Sequence, residues 1–152
     1  MRRLVHQFKY ARQRHLRYPI AEWLAETMID SRLKGRRFDI VVPVPLHPAR
    51  ERERGFNQAA LLAELFAERA GLPLQPVLER TRYTTTQTAH DRAERIENLR
   101  DAFRLRKNRD VRDLHVLLID DVLTTGSTLS ECARVLRAAG AVSVHAATAA
   151  RA

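Results

Sequence analysis

Along this chain the hydrophobic and polar positions switch between unbroken apolar runs and a helical period. Phe38-Asp39-Ile40-Val41-Val42 is one run, ended by a proline. Leu114-His115-Val116-Leu117-Leu118-Ile119 is a longer one, ended by two aspartates. Strands that stay apolar on both faces belong to sheets covered by helices on both sides. Val142–Thr148 reads as a third strand, and Leu74–Leu78 and Ala102–Leu105 as shorter ones. Between them Ala59, Leu62, Ala63, Phe66 and Ala70 recur at helical spacing, and Gly71-Leu72-Pro73 stops that helix. Leu129, Cys132, Ala133, Leu136 and Ala139 repeat the pattern, and Gly140 ends it. Ile20, Trp23, Leu24, Thr27, Met28 and Leu33 predict an N-terminal helix after Pro19. Strands alternating with helices across short connections define an α/β domain with a mostly parallel, twisted sheet flanked by helices. Two stretches, Pro43–Gly55 and Thr81–Asp91, read as irregular. Both are longer than a minimal turn and are expected to do more than connect.

The most informative segment is Val116-Leu117-Leu118-Ile119-Asp120-Asp121-Val122-Leu123-Thr124-Thr125-Gly126-Ser127-Thr128-Leu129. A buried strand here delivers two carboxylates to the carboxyl edge of the sheet, where open α/β sheets bind ligands. A turn of small hydroxyl residues around one glycine then feeds the next helix. Free N–H groups at a helix start, together with its dipole, favour a phosphate dianion. Gly126 permits close backbone approach, and Thr124, Thr125, Ser127 and Thr128 add hydroxyl donors. The carboxylates of Asp120 and Asp121 are acceptors suited to a sugar diol. Diol binder and phosphate cradle a few residues apart describe a ribose 5-phosphate site. An acidic strand end also occurs in nucleotide triphosphatases, but they need a Gly-Lys-Ser/Thr loop, and no glycine of this chain is followed by that pair. A plain helix N-cap explains one hydroxyl, not four behind two carboxylates.

Composition narrows the classes of function. The 152 residues fit one domain, which buries roughly 68–70% of its unfolded surface and needs no structural metal or disulfide. At 45% hydrophobic and 30% charged residues, the chain is expected to be globular throughout. The apolar runs are too short to span a bilayer, and Met1–Gln7 lacks the apolar stretch of a secretory signal. Cys132, the sole cysteine, has nothing to pair with, so a cytoplasmic location is expected and the thiol reads as a small core residue. The net charge of +9, mostly from arginine, favours polyanionic partners, either phosphates or nucleic acid. It is spread along the chain, however, and only nine aromatic residues are available to stack bases. The six histidines show no metal-ligand spacing, and no zinc is expected.

The segment around Asp120–Thr128 closely resembles the phosphoribosyl pyrophosphate motif of type I phosphoribosyltransferases. A second resemblance is to the ComF (competence, GntX-like) branch. It is carried by Pro43-Val44-Pro45-Leu46-His47-Pro48, Arg50, Arg52 and Arg54-Gly55-Phe56-Asn57-Gln58, and by Arg80, Arg82, Thr85, Gln87, Arg92, Arg95, Asn98, Ala102 and Phe103. Together they span Leu4 to Thr148. The resemblance implies one phosphoribosyltransferase-like domain over residues 1–152, with a helical segment at 1–37 packed on it. It implies that Asp120 and Asp121 hold the ribose hydroxyls and serve catalysis, and that Thr124, Thr125, Gly126, Ser127 and Thr128 wrap the 5-phosphate. Pro45, His47, Arg50, Arg52 and Arg54 would lie by the pyrophosphate. Residues 81–95, with Gln87, Arg92 and Arg95, match a flexible hood that closes over substrate. Mg²⁺ would enter with phosphoribosyl pyrophosphate, and Asp120 and Asp121 are its candidate protein contacts. Members of the branch often carry an N-terminal zinc ribbon of four cysteines, which these 152 residues do not contain, so partner or DNA docking through it is not carried over.

Two function classes follow. One is transfer of phosphoribosyl to an acceptor that the sequence does not identify, in nucleotide metabolism, or sensing of the same ligand without turnover. The other is a binding module in DNA uptake and natural transformation that handles single-stranded DNA with competence partners. Helix 20–33, with Trp23 and Met28, is either ordinary core or a contact face for a homo-oligomer.

Overall fold

The computed structural model describes residues 17–27, 30, 33–83 and 99–151. In order these are α1 (Arg17–Glu26), β1 (Ile40–Pro43), α2 (Pro48–Arg54), α3 (Gln58–Ala70), β2 (Leu78–Arg80), β3 (Phe103–Leu105), β4 (His115–Leu123), α4 (Ser127–Ala138) and β5 (Ser143–Arg151). β4 is the centre of a three-stranded parallel sheet ordered β1-β4-β5. Ile40 pairs with Val116 and Pro43 with Ile119 on one side, while His115 pairs with Ser143 and Asp120 with Thr148 on the other.

Alternation along the strands divides the core into two layers. Val41, Leu117 and Ile119 face Leu62, Ala63 and Phe66 of α3 and Ile20 and Leu24 of α1. Ile40, Val42, Val116 and Leu118 face Cys132 and Leu136 of α4, together with Val77, Leu78 and Phe103. Both faces of β4 are therefore dry, which is why its sequence is apolar without a break. The expected architecture, a parallel sheet flanked by helices, is the observed one.

Four local expectations need correction. Pro43–Gly55 is not irregular throughout: α2 occupies Pro48–Arg54. Its signals are those of caps, not of a core. His47 Nδ1 accepts from Ala49 N, Pro48 opens the helix, Glu51 sits in the first turn and Arg52 and Arg54 in the last, and Gly55 closes it at φ 80°. No residue of α2 is buried, so it leaves no apolar period to detect. The strand expected over Leu74–Leu78 is broken by Pro76. Val41 N donates to Pro73 O and Gln75 N to Val41 O, so only 73–75 run beside β1. Leu78–Arg80 then pairs antiparallel with Phe103–Leu105 in a separate hairpin, outside the parallel sheet. Finally, α1 includes Pro19, which is tolerated in a first turn where no N–H is used. It ends at Glu26, whereas its expected residue Met28 lies outside the described residues. Ile20, Ala21 and Leu24 are core residues against α3.

Candidate functional site

β4 carries its run of apolar residues directly into Asp120 and Asp121 and continues to Leu123, so the acid pair stands within the end of the strand and not beyond it. Two-residue periodicity then separates the carboxylates. Asp121 follows Leu117 and Ile119 on the α3 face and is 7% exposed. Asp120 follows Val116 and Leu118 on the α4 face, within electrostatic reach of Cys132 and Arg80. Asp120 Oδ1 also accepts from Asp121 N at 2.8 Å, which holds its carboxylate against the backbone. The structure thus brings the pair to one edge of the sheet, on opposite faces of one strand.

Thr124, Thr125 and Gly126 form the whole connection to α4. Gly126 is the N-cap residue at φ 80°, and no side chain caps the helix. Thr125 Oγ1 and Ser127 Oγ lie 2.9 Å apart, and Ser127 N approaches Thr125 Oγ1 at 3.4 Å. Apart from that long Ser127 N contact the helix start has no side-chain acceptor, so its remaining N–H groups and its positive dipole end are kept for an anion. Thr124 is exposed, while Thr125, Gly126, Ser127 and Thr128 are half-buried.

The connection after β1 meets the same edge. Val44 N donates to Ile119 O, one step beyond the pairing of Pro43 with Ile119, so Val44 stands beside Asp120. Pro45 is buried. His47 caps α2, and its ring meets Tyr83 edge-on at 5.1 Å. The Arg50 guanidinium lies 5.7 Å from the centre of the same tyrosine ring. Arg50 and Arg54, four residues apart, share one side of α2 and are half-buried, whereas Arg52 points elsewhere and is exposed. The structure therefore groups Arg50 and Arg54 and leaves Arg52 out. Gln87, Arg92 and Arg95 lie outside the described residues.

Two residues join the site that the motifs did not single out as contacts. Arg80 ends β2, and its guanidinium stacks 5.3 Å from the Phe103 ring. Burial pulls its pKa down, repulsion from Arg50 adds to this, and Cys132 and Asp120 oppose it. Arg80 thus stands within electrostatic reach of both Arg50 and Asp120. Tyr83, 42% exposed, links His47 and Arg50 to the segment that follows. Position in the hairpin was the missing signal for both, and it is tertiary. Cys132 is fully buried and burial drives its thiol pKa far up, which fits a core residue and not a nucleophile.

The fold is that of the type I phosphoribosyltransferases. Glutamine phosphoribosylpyrophosphate amidotransferase from B. subtilis is similar with a TM-score of 0.56 at 24% identity, over 88% of this chain and 26% of that one. Adenine phosphoribosyltransferase from Thermoanaerobacter pseudethanolicus is similar with a TM-score of 0.55 at 17% identity, over 90% and 68%. The profile of the family described as Phosphoribosyl transferase domain matches residues 52–152, and the chain belongs to that family. Within it the ComF resemblance holds. DNA utilization protein YhgH of Salmonella typhi is 39% identical over 149 residues, 93% of this chain and 63% of that protein. Competence protein F of Haemophilus influenzae is 33% identical over 141 residues, 90% of this chain and 62% of that protein. Competence protein ComFC of Bacillus subtilis is 38% identical over 97 residues, 64% and 38%. The chain thus spans about three-fifths of the length of the first two. Among the described residues no helix is long and apolar enough to cross a membrane.

Proposed function

We propose that the chain binds phosphoribosyl pyrophosphate at the carboxyl edge of the sheet and transfers its phosphoribosyl group to an acceptor. The observation that carries this reading is the uncapped start of α4, with Gly126 at φ 80° and its hydroxyl neighbours, directly behind Asp120 and Asp121. Thr124–Thr128 would take the 5-phosphate through backbone N–H groups and hydroxyls. The acid pair would take the ribose, with Asp121 reaching it from the α3 side and Asp120 from the α4 side. Arg50 and Arg54, with Arg80 behind them, would hold the pyrophosphate. In the transfer the bond from C1 of the ribose to pyrophosphate breaks, its electron pair leaving with pyrophosphate. The acceptor forms the new bond and loses its proton. The positive charge that develops at C1 would be stabilised by the nearby carboxylates.

Among the described residues no cluster of three or more His, Cys, Asp or Glu side chains forms a metal cage. Because the two carboxylates lie on opposite faces of β4, one of them at a time fits Mg²⁺ that arrives on a polyphosphate, an ion held by one or two carboxylates plus substrate phosphates. Asp120 or Asp121 would hold it, and its charge would offset that of the leaving pyrophosphate.

A second reading is a DNA-uptake role, with single-stranded DNA as ligand. It is favoured by the names of the relatives, Competence protein F and DNA utilization protein YhgH, and by the net charge of +9. One titration separates the two. Phosphoribosyl pyrophosphate with Mg²⁺, then single-stranded DNA, is titrated calorimetrically into the native protein and into the Asp120→Asn/Asp121→Asn variant. The sugar-phosphate reading expects the variant to bind phosphoribosyl pyrophosphate about a hundredfold more weakly, ~2.7 kcal/mol. Equal binding by both proteins would overturn it. A DNA module instead gives steep salt dependence and indifference to the aspartates. Pyrophosphate release with a panel of nucleobases divides transfer from sensing.

A further inference from the structure

Among the described residues only two polar side chains are buried: Asp121 at 7% exposure and Gln58 at 2%. Gln58 is the first residue of α3. Its Oε1 accepts from Arg54 Nη1 at 3.3 Å across the Gly55-Phe56-Asn57 turn. Its Nε2 has no hydrogen-bond partner. Exchanging the amide oxygen and nitrogen does not cure this. A guanidinium has donors only, so the atom facing Arg54 must be the oxygen, and the NH₂ must point elsewhere. Two amide hydrogens are thus withdrawn from water without an acceptor, an arrangement native proteins rarely keep unless something else supplies one.

The location says what could supply it. Asn57, the residue before Gln58, donates from Nδ2 to Val44 O at 3.0 Å and caps α3 through Ala59 N. Val44 is the residue beside Asp120 at the carboxyl edge. Gln58 therefore begins the helix that covers the Asp121 face of β4, at the same end of the sheet as the acid pair. Its other neighbour, Arg54, is one of the two arginines that α2 turns to a common side.

We propose that Gln58 is a ligand contact: Nε2 donates to a phosphoryl oxygen of the pyrophosphate group, and Oε1 aims the Arg54 guanidinium at the same group. The inference rests on the sugar-phosphate reading and extends it to a neutral donor that distinguishes a pyrophosphate from a lone 5-phosphate. Its chemistry is recognition of the polyanion at the end away from the Thr124–Thr128 turn.

The test uses inorganic pyrophosphate and ribose 5-phosphate as separate probes, by calorimetry, on the native chain, Gln58→Glu and Gln58→Met. Glutamate keeps an acceptor for Arg54 and deletes the donor; methionine keeps the length and deletes both. Pyrophosphate affinity is expected to fall about tenfold in both variants, with ribose 5-phosphate affinity held within about twofold. The Tm of ligand-free Gln58→Met is expected to equal or exceed that of the native chain, because a stranded donor has been removed. Unchanged pyrophosphate binding, equal loss of both probes, or a lower Tm in Gln58→Met would each overturn the proposal, the last by showing that the amide is satisfied inside the fold. Native protein that takes pyrophosphate but not ribose 5-phosphate sinks the sugar-phosphate reading alone. Native protein that takes neither sinks both.

Discussion

Two strand-to-helix connections leave the same edge of the sheet, and they solve the same local problem in opposite ways. After β4 the chain uses three residues, places a glycine at the N-cap and leaves α4 without a side-chain cap. After β1 it inserts a whole helix, and both helix starts are closed by side chains: His47 on Ala49 N, Asn57 on Ala59 N. A capped start has spent its backbone donors internally. An open one offers them outward. Under the proposed function the first connection would take an anion on the backbone, and the second would take one on the side chains of Arg50 and Arg54.

Substitutions can break this contrast. The largest expected effect is at Gly126. An added Cβ meets only Leu123 Cδ1 at 3.6 Å, so Gly126→Ala is penalised by its φ of 80° and not by space. A loss of about 1–2 kcal/mol is expected, together with weaker ribose 5-phosphate binding and unchanged pyrophosphate binding. Chemical denaturation and calorimetry on the same samples read both. Asn57→Ala should cost ~1 kcal/mol through the lost cap yet leave ribose 5-phosphate affinity where it was. If it weakened that affinity as much as Gly126→Ala does, the two connections would not be functionally distinct. Next come the arginines of α2. Arg50→Ala and Arg54→Ala should each lower pyrophosphate affinity severalfold, roughly 1 kcal/mol, while Arg52→Ala, on the exposed side, should not.

The smallest effect lies at the opposite, amino edge and serves as a control. There His145 packs edge-on against Phe38 at 5.7 Å, and burial lowers its pKa, helped by Arg36 and His115. The unfolded chain binds that proton more readily than the folded one. Stability is therefore full above the ordinary histidine value of about 6.5 and falls as the pH drops below it. His145→Phe should flatten this slope in Tm between about pH 7 and 5 without touching ligand affinity. Asp39 acts in the same direction at lower pH: its carboxylate accepts from His115 N at 2.8 Å, which holds its pKa down.

Much of this was legible in order along the chain. Unbroken apolar runs identify β1 and β4 because a strand covered on both faces has no polar position to show. The candidate phosphate turn is legible because its determinants, a glycine, four hydroxyls and a helix start, are neighbours in sequence. The helix α2 was hidden for the converse reason. It buries nothing, and its only marks are His47, Pro48 and Gly55 at its ends. Pro76 carried a local warning against a strand over Leu74–Leu78, since it cannot donate to a ladder.

The amino-acid sequence by itself determined the α/β class, the central strand and the two acids at its end, because each depends on side-chain periodicity or on residues a few positions apart. Only the tertiary structure decided which helix covers the face of Asp120 and which the face of Asp121, that Arg80 comes within reach of Arg50, and that Gln58 is sealed from water with a donor unmet. Those facts depend on which helix covers which face of β4. That choice is made by contacts between residues distant in the chain, where no local pattern records it.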